Sequence, residues 1–165
     1  MHVRRAAVAD AAAIAAVHTR TWQAAYEHVF GAERLARIDA SRRTAGWTRV
    51  LESGEAVFVA EDAAGGVVAF VSVGPAQELD GVGELYAIYA LPEAWGSGAG
   101  PALMRAGVDA LRDAGYREAI LWVLEDNPRA RRFYEREGWA FDDATKEDEL
   151  LGVTVAEVRY RLRLD

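Results

Sequence analysis

The 165-residue chain has no cysteine, only three histidines, and no apolar run near the length of a membrane helix. Each absence removes a class of function. Without cysteine there is neither a disulfide nor a thiolate nucleophile. Three scattered histidines and no cysteine offer no ligand cluster, so no metal site is expected. A membrane helix needs about 18 or more consecutive apolar residues, and no stretch supplies them. No basic-then-apolar segment opens the chain, so no secretory signal is expected, and a cytoplasmic protein is the simplest expectation. Positive charge is also short. The net charge of −7 argues against nucleic acid as the main partner, because neutralising phosphates requires a basic face. An acidic surface favours solubility first, and draws cationic partners such as amines weakly through long-range attraction. With 52% hydrophobic and 27% charged residues, the chain is expected to be a single domain, residues 1–165, with a full core. No repeat, low-complexity linker or second domain is visible.

The informative stretch runs from Leu85 to Trp139. It holds an apolar run (Leu85 to Leu91), a glycine-rich turn (Trp95 to Gly100), an amphipathic segment (Pro101 to Ala114), a second apolar run (Ala119 to Leu124) and a capped segment (Asn127 to Gly138). This order predicts a βαβα unit with two parallel strands. In the loop Trp95-Gly96-Ser97-Gly98-Ala99-Gly100-Pro101, alternate glycines permit positive φ and close approach of a ligand to the backbone. Pro101 suits the first turn of a helix. The loop therefore reads either as bare amides at a helix N-terminus, an anion site, or as a tight strand-to-helix turn. It is not a P-loop, which ends in Gly-Lys-Ser/Thr. The dinucleotide fingerprint also fails, since Pro101 or Leu103 stands where Gly or Ala is needed. No Gly-x-Ser-x-Gly elbow is present, and Gly96-Ser97-Gly98 falls short of one.

Elsewhere, His2 to Ala6 reads as a short strand, and Asp10 as the N-cap of a helix whose buried face carries Ile14, Val17, Thr21, Trp22 and Ala25. His18, on or beside that face, is expected to pack. A short helix over Glu33 to Ile38 and another over Arg42 to Leu51, capped by Ser41, follow. Glu55 to Glu61 and Val67 to Val73 predict an antiparallel hairpin turning at Ala64-Gly65-Gly66. Gly115 and Gly138 are helix stops, and Asn127-Pro128 is an N-cap with proline at N1. Trp139 to Asp142 and Val153 to Leu164 are the last strands, with a slip of phase near Ala156 that reads as a bulge. Asp142 to Gly152 is expected to be a mobile, acidic surface loop.

The glycine loop, taken with Glu84-Leu85-Tyr86-Ala87-Ile88-Tyr89 before it and Asn127-Pro128-Arg129-Ala130-Arg131-Arg132-Phe133-Tyr134 after it, resembles the GNAT superfamily of N-acetyltransferases. The family's loop, Gln/Arg-x-x-Gly-x-Gly/Ala, stands here as Trp95-Gly96-Ser97-Gly98-Ala99-Gly100. Trp95 departs from it and removes a polar contact; Pro101 removes an amide. The resemblance covers most of the chain and is weakest from Gly31 to Gly54. It implies an α/β fold with a mixed, mainly antiparallel sheet, whose central parallel pair splays around a CoA cleft between flanking helices. It implies acetyl-CoA, or a longer acyl-CoA, as donor. It also implies as acceptor a primary amine of a small molecule, an amino-acid-like compound, an antibiotic or a peptide N-terminus. Dimers are common in the family, so a homodimer is an expectation.

The same resemblance assigns candidate roles. Ile88, Tyr89 and Ala90, the loop Trp95, Gly96, Ser97, Gly98, Ala99 and Gly100, and Asn127 and Arg131 are the expected cofactor-binding residues. Trp22, Tyr26 and Tyr86 are the substrate-side candidates. Glu84, at the start of the strand flanking the thioester, is the expected base, with Glu125 and Asp126 as alternatives. Tyr134 lies seven residues after Asn127, about 10 Å along one helix face, a span that suits an extended pantetheine arm. Tyr134 is the expected acid for the departing thiolate. Without cysteine, transfer is direct unless a serine or another residue serves as nucleophile. The rival reading is a non-catalytic acyl-CoA-binding sensor.

Overall fold

A computed structural model describes residues 1–165. The strands are β1 (His2–Arg5), β2 (Ala56–Glu61), β3 (Val67–Pro75), β4 (Gly83–Ala90), β5 (Glu118–Leu124), β6 (Ala140–Leu150) and β7 (Val153–Arg163). The helices are α1 (Ala11–Ala25), α2 (Glu27–Phe30), α3 (Ala32–Ala36), α4 (Ala40–Glu52), α5 (Ala99–Asp113) and α6 (Pro128–Arg136). All seven strands form one sheet in the order β1-β2-β3-β4-β5-β7-β6. Every pairing is antiparallel except β4 with β5.

The sheet is buried on both faces. Leu103, Met104, Val108 and Leu111 of α5 pack on one face against Val71, Val73 and Leu121. Gly107 permits this approach, since a Cβ there would meet Val73 at 3.1 Å. On the other face, Ile14 and Val17 of α1 cover Val57, Val59 and Phe70. Both α5 and α6 end as their sequences predict: Gly115 and Gly138 each take φ of +94°. The amides of Tyr116 and Trp139 then turn back to the carbonyls of Leu111 and Tyr134, satisfying groups a helix end leaves open.

Two irregularities build the cleft. Ser72 pairs with Ala87 and Val73 with Leu85, so Tyr86 is an extra residue in β4. Side chains alternate along a strand, and the bulge reverses the alternation. Leu85 belongs to the α5 side, and so do Ile88 and Ala90, while Ala87 and Tyr89 turn towards α1. The Tyr86 hydroxyl donates to the carbonyl of Pro75. The second irregularity is the parallel pair itself. Only Gly83 with Ala119 and Glu84 with Ile120 are in register. Beyond them β4 and β5 diverge, and the edge of β4 that faces β5 is left without a strand partner.

Several expectations are corrected. Residues 142–150, expected as part of a mobile loop, belong to the eleven-residue strand β6. Its polarity misled because it is an edge strand held by pairing with β7 and by ion pairs from Asp142 to Arg159 (2.7 Å) and Arg161 (3.2 Å). Only Leu151 and Gly152 form the turn, both at positive φ, as a two-residue hairpin loop demands. The bulge expected near Ala156 lies instead on β6, between Phe141 and Thr145. In β7 the adjacent Glu157 and Val158 are both buried, because that strand is covered on both faces there. Asp10 does not cap α1 with its side chain. Its carboxylate takes the Ala7 amide and the Arg4 guanidinium, the latter at 2.8 and 2.9 Å, a stronger charged partner than an orphan amide. Asp39, not Ser41, caps α4, accepting from the Arg42 amide at 3.1 Å. The expected helix over Glu33 to Ile38 is shorter, α3, and preceded by α2. Gly98 is the N-cap of α5, which places Pro101 at its third position.

Candidate active site

The cleft between the diverging strands encloses about 950 Å³ and is walled by β4, β5, α1, α5, α6 and the β6–β7 hairpin. Its chemistry changes from one end to the other.

At one end stands the glycine loop. The Ser97 amide donates to the Ala94 carbonyl, and the Ala99 amide to Ser97 Oγ at 3.4 Å. The amides of Gly96, Gly98 and Gly100 have no such protein acceptor, and these three glycines line the cleft. Gly96 and Gly98 hold φ of +76° and +90°, a conformation costly for other residues. Three free amides at the start of a fifteen-residue helix form an electropositive cradle. Trp95 contributes indirectly. Its indole Nε1 donates to the Ala90 carbonyl at 2.9 Å, and the Arg129 guanidinium stacks 3.5 Å above its ring. Burial and the neighbouring Arg136 lower the pKa of Arg129. Both arginines line this end of the cleft, so the charge missing from position 95 returns from α6.

In the middle are tyrosines. Tyr134 is 7% exposed and lines the cleft with Tyr26 and Tyr89. Burial, then the neighbouring Tyr89 and Tyr26, raise its pKa well above the ordinary tyrosine value, and no hydrogen bond offsets them. Its hydroxyl therefore keeps its proton and has no competing partner. Asn127 caps α6, with Oδ1 accepting from the Ala130 amide at 3.1 Å, and donates from Nδ2 to the Tyr26 hydroxyl at 3.0 Å.

At the far end are carboxylates. Glu84 is half-buried, and burial raises its pKa, opposed by the Gln77 amide and by Lys146. Lys146, Asp148 and Glu157 from the hairpin, with Trp122 from β5, complete this wall.

Residues 13–139 match the sequence profile of the Acetyltransferase (GNAT) family. The chain belongs to this family. YuaI of Bacillus subtilis (strain 168), an uncharacterized N-acetyltransferase, is 38% identical over 128 residues, 76% of this chain and 73% of YuaI. The fold is shared with yncA of Salmonella typhimurium, solved with its cofactor acetyl-CoA (TM-score 0.76, 24% identity, covering 100% of this chain and 94% of that one). It is also shared with the paia N-acetyltransferase of Thermoplasma acidophilum, solved with coenzyme A (TM-score 0.75, 17% identity, 98% of each chain). The expected mixed α/β architecture with one parallel pair is thus the observed one.

In this GNAT chain most of the residues singled out from the sequence meet in the one cleft: Trp22, Tyr26, Glu84, Tyr86, Ile88, Tyr89, Ala90, Trp95, Gly96, Gly98, Gly100, Asn127 and Tyr134. Ser97 and Ala99 face away and stiffen the loop. Arg131 is also outside, bonded to the Tyr160 hydroxyl at 3.0 Å and the Glu125 carbonyl at 3.2 Å. Asp126 lines the cleft beside His28 and Glu125 does not. Arg129, Arg136, Lys146 and Glu157 were not anticipated. No sequence period marks the first two, whereas Glu157, at an inward position of an alternating strand, was a detectable exception.

His18 packs as expected, stacked on Tyr89 with centroids 5.2 Å apart and accepting from Trp47 Nε1 at 3.3 Å. Burial, aided by Arg43, lowers its pKa from 6.5 to about 3. The unfolded chain then binds the extra proton, so this contribution to stability is complete above pH 6.5 and lost as pH falls towards 3. From pH 6.5, where the unfolded histidine is already half protonated, to pH 5 the loss is about 1.6 kcal/mol. Urea unfolding at these two pH values should show it in the wild type, and a flatter dependence in His18→Gln.

Proposed function

We propose that this GNAT protein is an N-acetyltransferase that uses acetyl-CoA and passes the acetyl group directly to a primary amine of a small molecule or peptide. The observation that carries this reading is the run of unengaged amides at Gly96, Gly98 and Gly100, opening into a cleft that leads to a protonated, unpartnered Tyr134. The amides, with Arg129 and Arg136, suit a pyrophosphate. The unpaired edge of β4 suits the amide groups of a pantetheine arm, which it can bond as it would a strand. The thioester supplies an activated acetyl carbon. In this reading Tyr134 gives its proton to the departing sulfur, and Glu84 takes one from the amine, directly or through water. Main-chain amides on the edge of β4 that has no strand partner are the candidate donors to the carbonyl oxygen as charge develops on it. Ser97 is no nucleophile, because Oγ donates to the Ala94 carbonyl at 2.5 Å and lies outside the cleft. A cytoplasmic location accords with this reading. No helix is long and apolar enough to cross a membrane.

The test is thiol release from acetyl-CoA across a panel of primary amines, with Glu84→Gln beside the wild type. Burial moves Glu84 above its ordinary value of 4.5, so kcat/KM of the wild type should fall on the acid side with an apparent pKa above that value. The variant should retain acetyl-CoA affinity and lose that limb. An unchanged profile would return Glu84 to a structural role. Thiol release with no amine in the panel would contradict the transferase reading and favour the sensor.

A further inference from the structure

The far end of the cleft holds a charge that this transfer scheme leaves unused. Glu157 sits on β7 opposite Lys146 of β6, is 9% exposed, and lines the cleft. Its Oε1 is buried with no hydrogen-bond partner. A carboxylate is rarely buried without a compensating cation. The neighbour this one has is another acidic group, Asp148, at the exposed rim, which adds negative charge and does not offset it. Lys146, the only lysine in the chain, does not resolve the imbalance. Its Nζ is 3.1 Å from Glu78 and 4.2 Å from the centroid of the Trp122 ring. Glu78, Glu84, Asp148 and Glu157 thus crowd around a single ammonium. No group of three or more acidic, His or Cys side chains has metal-holding geometry, which favours an organic cation. Lys146 illustrates how this wall holds one, between a carboxylate and an indole face.

We propose that Glu157 and Asp148 form a second-cation subsite, which holds a positively charged group of the acceptor other than the amine being acetylated. The acceptor is accordingly an aliphatic diamine. This rests on the acetyl-transfer reading. The reacting amine must lose its proton to attack, and a paired carboxylate site would hold that proton on. The buried Glu157 therefore suits an amine that stays charged. The spacing fits as well. Glu84 is level with Ile120 and Glu157 with Leu124 along β5. Four residues of strand span about 13 Å, and side chains reaching inward from both ends reduce this to roughly the length of a four- to six-carbon diamine.

The experiment compares hexylamine with 1,6-diaminohexane, which differ by one terminal amine. Thiol release gives kcat/KM for each with wild type, Glu157→Gln and, at the exposed rim, Asp148→Asn. Calorimetry gives the affinity of the diamine for the CoA-saturated proteins, and acetyl-CoA affinity checks that each variant is folded. The wild type should prefer the diamine by about tenfold or more, mainly through KM, and added salt should reduce the preference. In Glu157→Gln the ratio should collapse towards one, and in Asp148→Asn it should fall part-way. Equal use of both amines by the wild type would overturn the subsite and leave acetyl transfer standing. Diamine binding lost in Glu157→Gln, with no turnover of either amine, would uphold the subsite and sink the transferase reading. Diamine binding that is absent, or indifferent to both substitutions, would overturn the proposal.

Discussion

Tyr134→Phe is expected to lower kcat by about 10²- to 10⁴-fold, the usual contribution of a positioned general acid. The substitution removes one oxygen and keeps the ring, whose centroid lies 5.6 Å from that of Phe133 and 6.2 Å from that of Tyr160. No hydrogen bond within the protein stabilises the lost hydroxyl. The fold should therefore tolerate the change, and the melting temperature should move little or rise. The loss should fall on kcat with acetyl-CoA affinity nearly unchanged, because the departing thiolate needs the proton and the bound thioester does not. The raised pKa adds a second expectation. Tyr134 stays protonated through the working pH range, so it should set no basic limb near its ordinary value of 10. Steady-state kinetics with the best amine, beside thermal unfolding of both proteins, checks this. A variant with full kcat would remove Tyr134 from the chemistry and leave the acetyl-CoA site intact.

What could be read from the sequence was what local forces decide. Alternating glycines, Asn127-Pro128 and the stops at Gly115 and Gly138 act within one turn of chain. All took the conformations their chemistry requires. Side chains whose roles depend on distant partners were misread or missed. Arg131 and Arg129 are two residues apart on α6, and nothing local says that only Arg129 reaches Trp95, thirty-four positions away in the sequence. Asp10 looked like a helix cap until Arg4 competed for it. β6 has no apolar period because pairing with β7 and ion pairs such as Asp142 to Arg159 hold it. Treating it as a loop hid Lys146 and Asp148, and with them part of the far wall of the cleft. The Tyr86 bulge had a similar effect. An uninterrupted β4 would turn Leu85, Ala87 and Tyr89 to one face, whereas the observed strand divides them between the α5 and α1 sides.

Gly98→Val is expected to weaken acetyl-CoA binding by about 10- to 100-fold, the range for losing a hydrogen bond to a charged group. Two causes act together. Gly98 holds φ of +90° as the N-cap of α5, and a β-branched residue at that angle is a genuine outlier. Forcing it costs about 1 to 3 kcal/mol, and relaxing it turns the Gly96, Gly98 and Gly100 amides out of alignment. The added methyls also stand on a surface where backbone and ligand would meet. Within the protein nothing lies within 4 Å of a Cβ at this position, so no core contact is broken and α5 should stay packed against β3. Gly107→Val is the informative contrast. There a Cβ would meet Val73 at 3.1 Å and Val71 at 3.2 Å, far from the cradle, and the damage should appear in stability instead of affinity. Calorimetric titration of acetyl-CoA, paired with urea unfolding, separates the two. Unaltered affinity in a folded Gly98→Val protein would show that the loop is a turn and not a cradle. A parallel loss of stability and affinity in both variants would show that the titration reports folding alone.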